Sequence, residues 1–203
     1  MRYLSAFEHD QLDLAAPAAP TVQSRKARVG VVALAVAALV VASCSQPRPQ
    51  GSPPPGTATY PQAKPAHVTG KVQYDHSPPV GGNHSPVWLN CGIYDSPVAN
   101  ENAVHDLEHG AVWITYLPSL PAAELDRLRA LVKASYDGTG RYVVLSPYPG
   151  QSAPIIASAW GHQLTLQTAT DPRLQGFINY FRQGPQNLEP GAPCSGGIGR
   201  PIG

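Results

Sequence analysis

Hydrophobic and polar positions divide the chain into three stretches of different pattern. Val29 to Ala42 is an unbroken apolar run. Ser45 to Lys64 has no period and many prolines. From about His67 onward, periodic segments alternate with loops. Ala111–Leu117 (AVWITYL) is dense in β-branched and aromatic residues and predicts a strand that Pro118 ends. Leu125, Leu128, Leu131 and Val132 recur at helical spacing, so a helix is predicted from Pro121 to about Ser135, capped by Ser119. Asp137-Gly138 and Gly140 turn the chain into a strand at Tyr142–Ser146. Ile155–Trp160 and Gln163–Thr168 read as two more strands around a Gly161-His162 turn. Asp171-Pro172 opens a last helix with Leu174, Phe177, Ile178 and Phe181 inward. The fold class expected is α+β: a small sheet of about four short strands with two or three helices, rich in loops.

The pattern is most informative between Gly81 and Tyr116, GGNHSPVWLNCGIYDSPVANENAVHDLEHGAVWITY. Its middle reads as a short helix. Ser96 suits the N-cap, Pro97 the first helical position and Gly110 the left-handed position past the end. At helical spacing Glu101, Asn102, His105, Glu108 and His109 share one face, and Ala99, Ala103, Val104 and Leu107 the other. A stripe of carboxylates and imidazoles therefore backs onto an alanine-rich surface.

Composition narrows the classes. Charged residues are 13% of the chain, about half the usual share. The net charge is +1 without a basic run in the folded part, which argues against nucleic acid as a partner. Residues 1–24 read as a disordered extension, or as untranslated if synthesis starts near Val22 at an alternative start codon. Arg25, Lys26 and Arg28 followed by the apolar run read as a signal peptide over 25–43. The run ends in Val41-Ala42-Ser43-Cys44, which resembles a bacterial lipobox, so Cys44 is expected to carry lipid. Residues 44–66 then form a proline-rich tether, and 67–203 a single extracytoplasmic domain with a coil tail. The expected location is the outer face of the cell membrane, lipid-anchored, with a single uncleaved anchor as the alternative.

The stretch WLNCGIYDSPVANENAVHDLEHGAVWITY, together with the tail EPGAPCSGG, resembles an uncharacterised bacterial family, the domain of unknown function 3105. The resemblance covers about Tyr74 to Gly196. It implies domain limits and carries no reaction, so chemistry must be read from the residues.

With Cys44 set aside, Cys91 and Cys194 remain, and in an exported domain they are expected to be bonded. The alternative is a thiol nucleophile or soft metal ligand at Cys91. His105 and His109 stand four apart, the spacing by which two imidazoles hold one metal ion. His84 is the first choice for a third ligand, then His76 and His162, with Glu101 and Glu108 as ligands or orienting groups. Imidazole and carboxylate suit zinc or copper, Zn2+ or Cu2+. The run His105-Asp106-Leu107-Glu108-His109 also fits the pattern H-x-x-E-H, in which Glu108 would activate water in a zinc hydrolase and Glu189 would be the nearest candidate for the remaining ligand. Three functions follow: a metal-binding domain, an envelope module that binds a protein partner without metal, and a zinc-dependent hydrolase. No catalytic residue is assigned beyond Glu108 in the third case. Trp88, Trp113, Tyr94 and Tyr116 are expected as core and cleft wall.

Overall fold

The computed structural model describes residues 51–62, 64–136 and 141–203. The expected extension, signal peptide and Cys44 lie outside them, as does the turn at 137–140. No helix among the described residues is long and apolar enough to cross a membrane.

The described elements run β1 (Ala58–Thr59), β2 (Gly92–Ile93), α1 (Asn100–Glu108), β3 (Val112–Tyr116), α2 (Ala122–Ala134), β4 (Val143–Pro147), β5 (Ile155–Ala159), β6 (His162–Leu166) and α3 (Pro172–Phe181). Their strands form one mixed sheet ordered β1-β6-β5-β3-β4-β2. β3 lies at the interior, parallel to β4 and antiparallel to β5. The parallel pair needs a crossover, and α2 is that crossover. β5, Gly161 and β6 make an antiparallel hairpin, as the sequence predicts. The α+β class stands, but the sheet has six strands where about four were expected. The two additional strands are two residues each, too short to leave a period in the sequence.

The sheet is covered on both faces. Val112, Ile114 and Tyr116 point toward the layer that includes Leu128 and Val132 of α2 and Leu174, Phe177, Ile178 and Phe181 of α3. Trp113 points the other way, into a second layer with Ala103, Val104 and Leu107 of α1, Leu89, Tyr94, Val144 and Trp160. Alternation along one buried strand thus serves two layers, and only β-branched or aromatic side chains fill both. α3 matches its predicted start: Asp171 accepts the backbone N–H of Arg173 at 2.9 Å, with Pro172 in the first turn. α2 begins at Ala122 with Pro121 in the cap position, a shift of one residue that leaves Ser119 outside.

Two expectations about boundaries are corrected. The chain around β1 was expected as a free tether, yet Ala58 and Thr59 pair with Gln163 and His162 at the edge of the sheet. The Tyr60 ring lies 4.0 Å from that of His76, and Tyr60 donates its N–H to Gly161 O at 2.8 Å. An edge strand takes any backbone that offers N–H and C=O in register, so no hydrophobic signal was needed. α1 starts at Asn100, with Ala99 in the cap position. The Ser96 hydroxyl is spent on Asp95, to which it donates at 3.1 Å, and so caps nothing. Gly110 does hold φ +85° just past α1. A Cβ there would meet the Asn187 amide at 2.6 Å, so the close approach of the tail also requires glycine.

The tail after α3 has little regular structure and is held by bonds. Cys91 and Cys194 form a disulfide with Cα atoms 5.3 Å apart, closing a loop of 103 residues. On the chain-entropy account such a loop contributes about 4–5 kcal/mol.

Candidate metal centre

α1 sets the site, and it differs from the expected helix in one respect. Its polar face does not meet solvent. Glu101, Asn102, His105, Glu108 and His109 are all buried, under loops 66–72 and 82–88 and under the tail. Each is met by a backbone group from one of those segments. Glu101 accepts the N–H of Val72 at 3.1 Å and Lys71 Nζ at 3.2 Å. Asn102 donates to Val87 O at 2.6 Å. The loops lie down because their backbone groups find partners on the helix.

Three imidazoles share one arrangement. His84 Nδ1 lies 2.8 Å from Gly82 O, His105 Nδ1 2.7 Å from Ser85 O, and His109 Nδ1 2.7 Å from Pro193 O. A carbonyl oxygen only accepts, so in each ring Nδ1 carries the hydrogen. The Nε2 atoms are left to face inward. This is how the other ring nitrogen of a metal-ligating histidine is usually held.

The Nε2 atoms of His84 and His109, and that of His67, meet carboxylates. His84 Nε2 is 2.8 Å from Glu108 Oε2, and His67 Nε2 is 3.6 Å from the same oxygen. His109 Nε2 is 3.3 Å from Glu189 Oε2. His67, His84, His105 and Glu108 each offer one donor atom, and all four lie within 4.8 Å of one another. His105, His109 and Glu189 form a second set on the same criterion. His84 is wholly buried, whereas the His67 side chain is 48% exposed. Trp88 lies against the second set, its ring 5.3 Å from His109 and 5.7 Å from His105, and its indole N–H donates to Ser195 O at 3.0 Å. A cleft of about 310 Å3 opens beside the donors, lined by Lys64, His67, His84, Glu108, Leu188 and Glu189 among others.

Electrostatics favour the uncharged, ligating form of His105. Burial pushes its pKa down to about 4; the Ser85 carbonyl opposes this, and the imidazoles of His109, His84 and His67 add to it. Glu101 differs: burial would raise its carboxyl, but hydrogen bonds from its own N–H, Val72 and Lys71 together hold it below the usual range. It fastens a loop and stands outside both donor sets.

Of the sequence-predicted residues, the structure brings His84, His105 and Glu108 into one set. It places His109 in the neighbouring set, joined through His105. His76 instead packs against Tyr60 with the two rings tilted at 41°, and His162 Nδ1 lies 3.1 Å from Thr59 Oγ1, both outside the donor sets. His67 was missed as a donor because it stood at the predicted edge of the tether. A parallel bridge pairs it with His84, a long-range contact with no signature in sequence. Cys91 and Cys194 lie with Asp106 in a third set, but as a disulfide they do not ligate.

A family model described as protein of unknown function (DUF3105) matches residues 67–196. No curated protein and no solved structure matches the chain.

Proposed function

Because the chain belongs to this family of proteins of unknown function, its role is read from its own side chains, and we propose that it binds one divalent transition-metal ion, zinc or copper. The observation that carries this reading is the convergence of four donors from three separate segments, His67, His84, His105 and Glu108, within 4.8 Å. Ligands sharing an ion at bonds of about 2.0–2.1 Å stand roughly 3–4 Å apart, so small side-chain rotations close the gap. Three imidazoles and a carboxylate are a borderline donor set that suits Zn2+ or Cu2+. Both thiols of the described domain are engaged in a disulfide, and the single methionine is Met1, so a Cu(I) site lacks soft ligands.

The lone pairs also support a count. His105 Nδ1 is occupied by Ser85, which leaves one nitrogen to serve either donor set. One ion is therefore held at a time, and His109 with Glu189 offers it a neighbouring position. Elemental analysis of protein stripped by chelator and reloaded should give one zinc or copper per chain. The double change His84→Ala, His105→Ala should lower affinity at least a hundredfold. Equal affinity in the two proteins would sink the proposal.

The same reading places the domain outside the cell on a lipid at Cys44, supported by the basic cluster, the apolar run and Val-Ala-Ser-Cys. Membrane retention of a Cys44→Ala variant, with acylation unchanged, would exclude that anchor.

The cleft beside the donors favours a second reading, a zinc hydrolase with Glu108 as base. Against it, Glu108 is already paired with His84 at 2.8 Å and belongs to the donor set. Hydrolysis of ester or peptide substrates by zinc-loaded protein, lost in Glu108→Gln with zinc retained, would decide for it.

A further inference from the structure

The disulfide is tied to the donor residues through the tail: Pro193, next to Cys194, holds His109 Nδ1 at 2.7 Å. From Pro185 to Gly203, Cys194 is the only buried residue. That segment supplies Glu189, 3.3 Å from His109 Nε2, and the Pro193 carbonyl that holds His109 Nδ1. The N–H groups of Leu188 and Glu189 donate to Glu108 O, and both residues wall the cleft. So the stretch that closes the metal position is fastened by one covalent bond and by hydrogen bonds, among them Cys91 N–H to Cys194 O at 2.8 Å and Tyr142 Oη–H to Ala192 O at 2.8 Å, with almost no apolar burial of its own.

Two further observations mark that bond as reactive. A second cleft, of about 540 Å3, is lined by Cys91 and Cys194, with Arg141 beside them. An approaching thiolate would find both an entrance and a cation there. On the inner side, Asp106 is fully buried, and a carboxylate oxygen of it lies within 4.8 Å of both sulfurs. Its Oδ1 accepts from Leu89 N–H, while Oδ2 has no partner. Disulfide sulfur brings no hydrogen to that atom. A thiol formed by reduction would bring one into the neighbourhood of that carboxyl.

We propose that Cys91–Cys194 is a redox site that exchanges with an external dithiol, and that its state gates metal release from the cleft beside the donors; the gating rests on the metal reading above. A thiolate of the dithiol attacks Cys194 Sγ, the Cys91–Cys194 bond breaks, and Cys91 departs with the electron pair. The second thiolate of the dithiol then attacks its own sulfur in the mixed disulfide and releases Cys194. Two electrons and two protons pass from the dithiol to the two cysteines, and the dithiol becomes a disulfide. With the covalent bond gone, only hydrogen bonds hold the tail, and their opening withdraws Glu189 and the support of His109 and opens one wall of the cleft.

The test has two arms on the folded domain. In the first, native protein is treated with dithiothreitol and its thiols are mass-tagged. Cys91 and Cys194 should both be labelled while far-UV circular dichroism is unchanged. In the second, zinc-loaded wild type and the thiol-free variant Cys91→Ser, Cys194→Ser are challenged with excess chromophoric chelator. Zinc should leave the variant at least ten times faster, and amide exchange at Leu188 and Glu189 should rise. Labelling only with loss of the folded signal, an unfolded variant, or equal release rates would each overturn the gate. Failure of the wild type itself to take up zinc would instead be the failure of the metal reading.

Discussion

The two faces of α1 are buried to the same degree by opposite means. Behind it, Ala103, Val104 and Leu107 vanish into a layer of Trp113, Val144 and Trp160. In front, His105, Glu108 and His109 are covered by loops and tail whose backbone groups they bind. The back is held by apolar area and tolerates any side chain of similar shape. The front is held by directed bonds, each specific to one donor and one acceptor. Burial alone therefore does not separate core from site in this protein. What separates them is whether the covering atoms are carbon or paired nitrogen and oxygen.

The largest effect should come from making the front resemble the back. His84→Leu with His105→Leu should lose at least a thousandfold in zinc affinity, about 4 kcal/mol, by calorimetry on the folded variant. Next comes a hole in the back: Leu107→Ala should cost about 2–5 kcal/mol in urea unfolding, with zinc affinity of the folded fraction unchanged. A coupled loss of affinity would show that the faces are not independent. A smaller change sharpens the division within the front itself. Glu101→Gln should cost about 1–2 kcal/mol, because Lys71 and Val72 lose a charged acceptor, and it should leave zinc affinity within twofold.

The last effect is a pH slope in the metal-free protein. The unfolded chain takes a proton at His105 near its ordinary 6.5, the folded chain only at about 4. Between those values the unfolded state binds more protons, so stability is full above about pH 6.5 and declines as pH falls toward 4. Urea midpoints at pH 7 and pH 5 should show the decline, and His105→Leu should flatten it.

Sequence showed β3 to β6, α2 and α3 well, because their side chains carry a period that their burial requires. Leu174, Phe177, Ile178 and Phe181 all point inward as their spacing says. It showed the composition of the α1 stripe and the disulfide, since few residues could play either part. It did not show that the stripe is covered. The covering is made by backbone N–H and C=O of Val72, Ser85 and Pro193, and every residue carries those groups. For the same reason β1, β2 and the approach of His67 to His84 left no trace in the pattern. Contacts made by side chains can be read from a chain; contacts made by its backbone are read only from the fold.

The bridge between His67 and His84 has a kinetic consequence. Its two residues belong to loops, and each is fixed only when α1 is already in place beneath them. In a collapsing chain, the neighbours His105 and His109 can meet early, but the four-donor set needs three separate segments docked before it is complete. Metal should therefore be absent from the rate-limiting transition state. On the proposed reading, zinc at saturating concentration should leave the refolding rate unchanged and slow only unfolding, as a ligand of the finished state alone does. On the proposed metal-binding reading, a chain made where metal is scarce would fold at its normal speed and stay competent to take up an ion later.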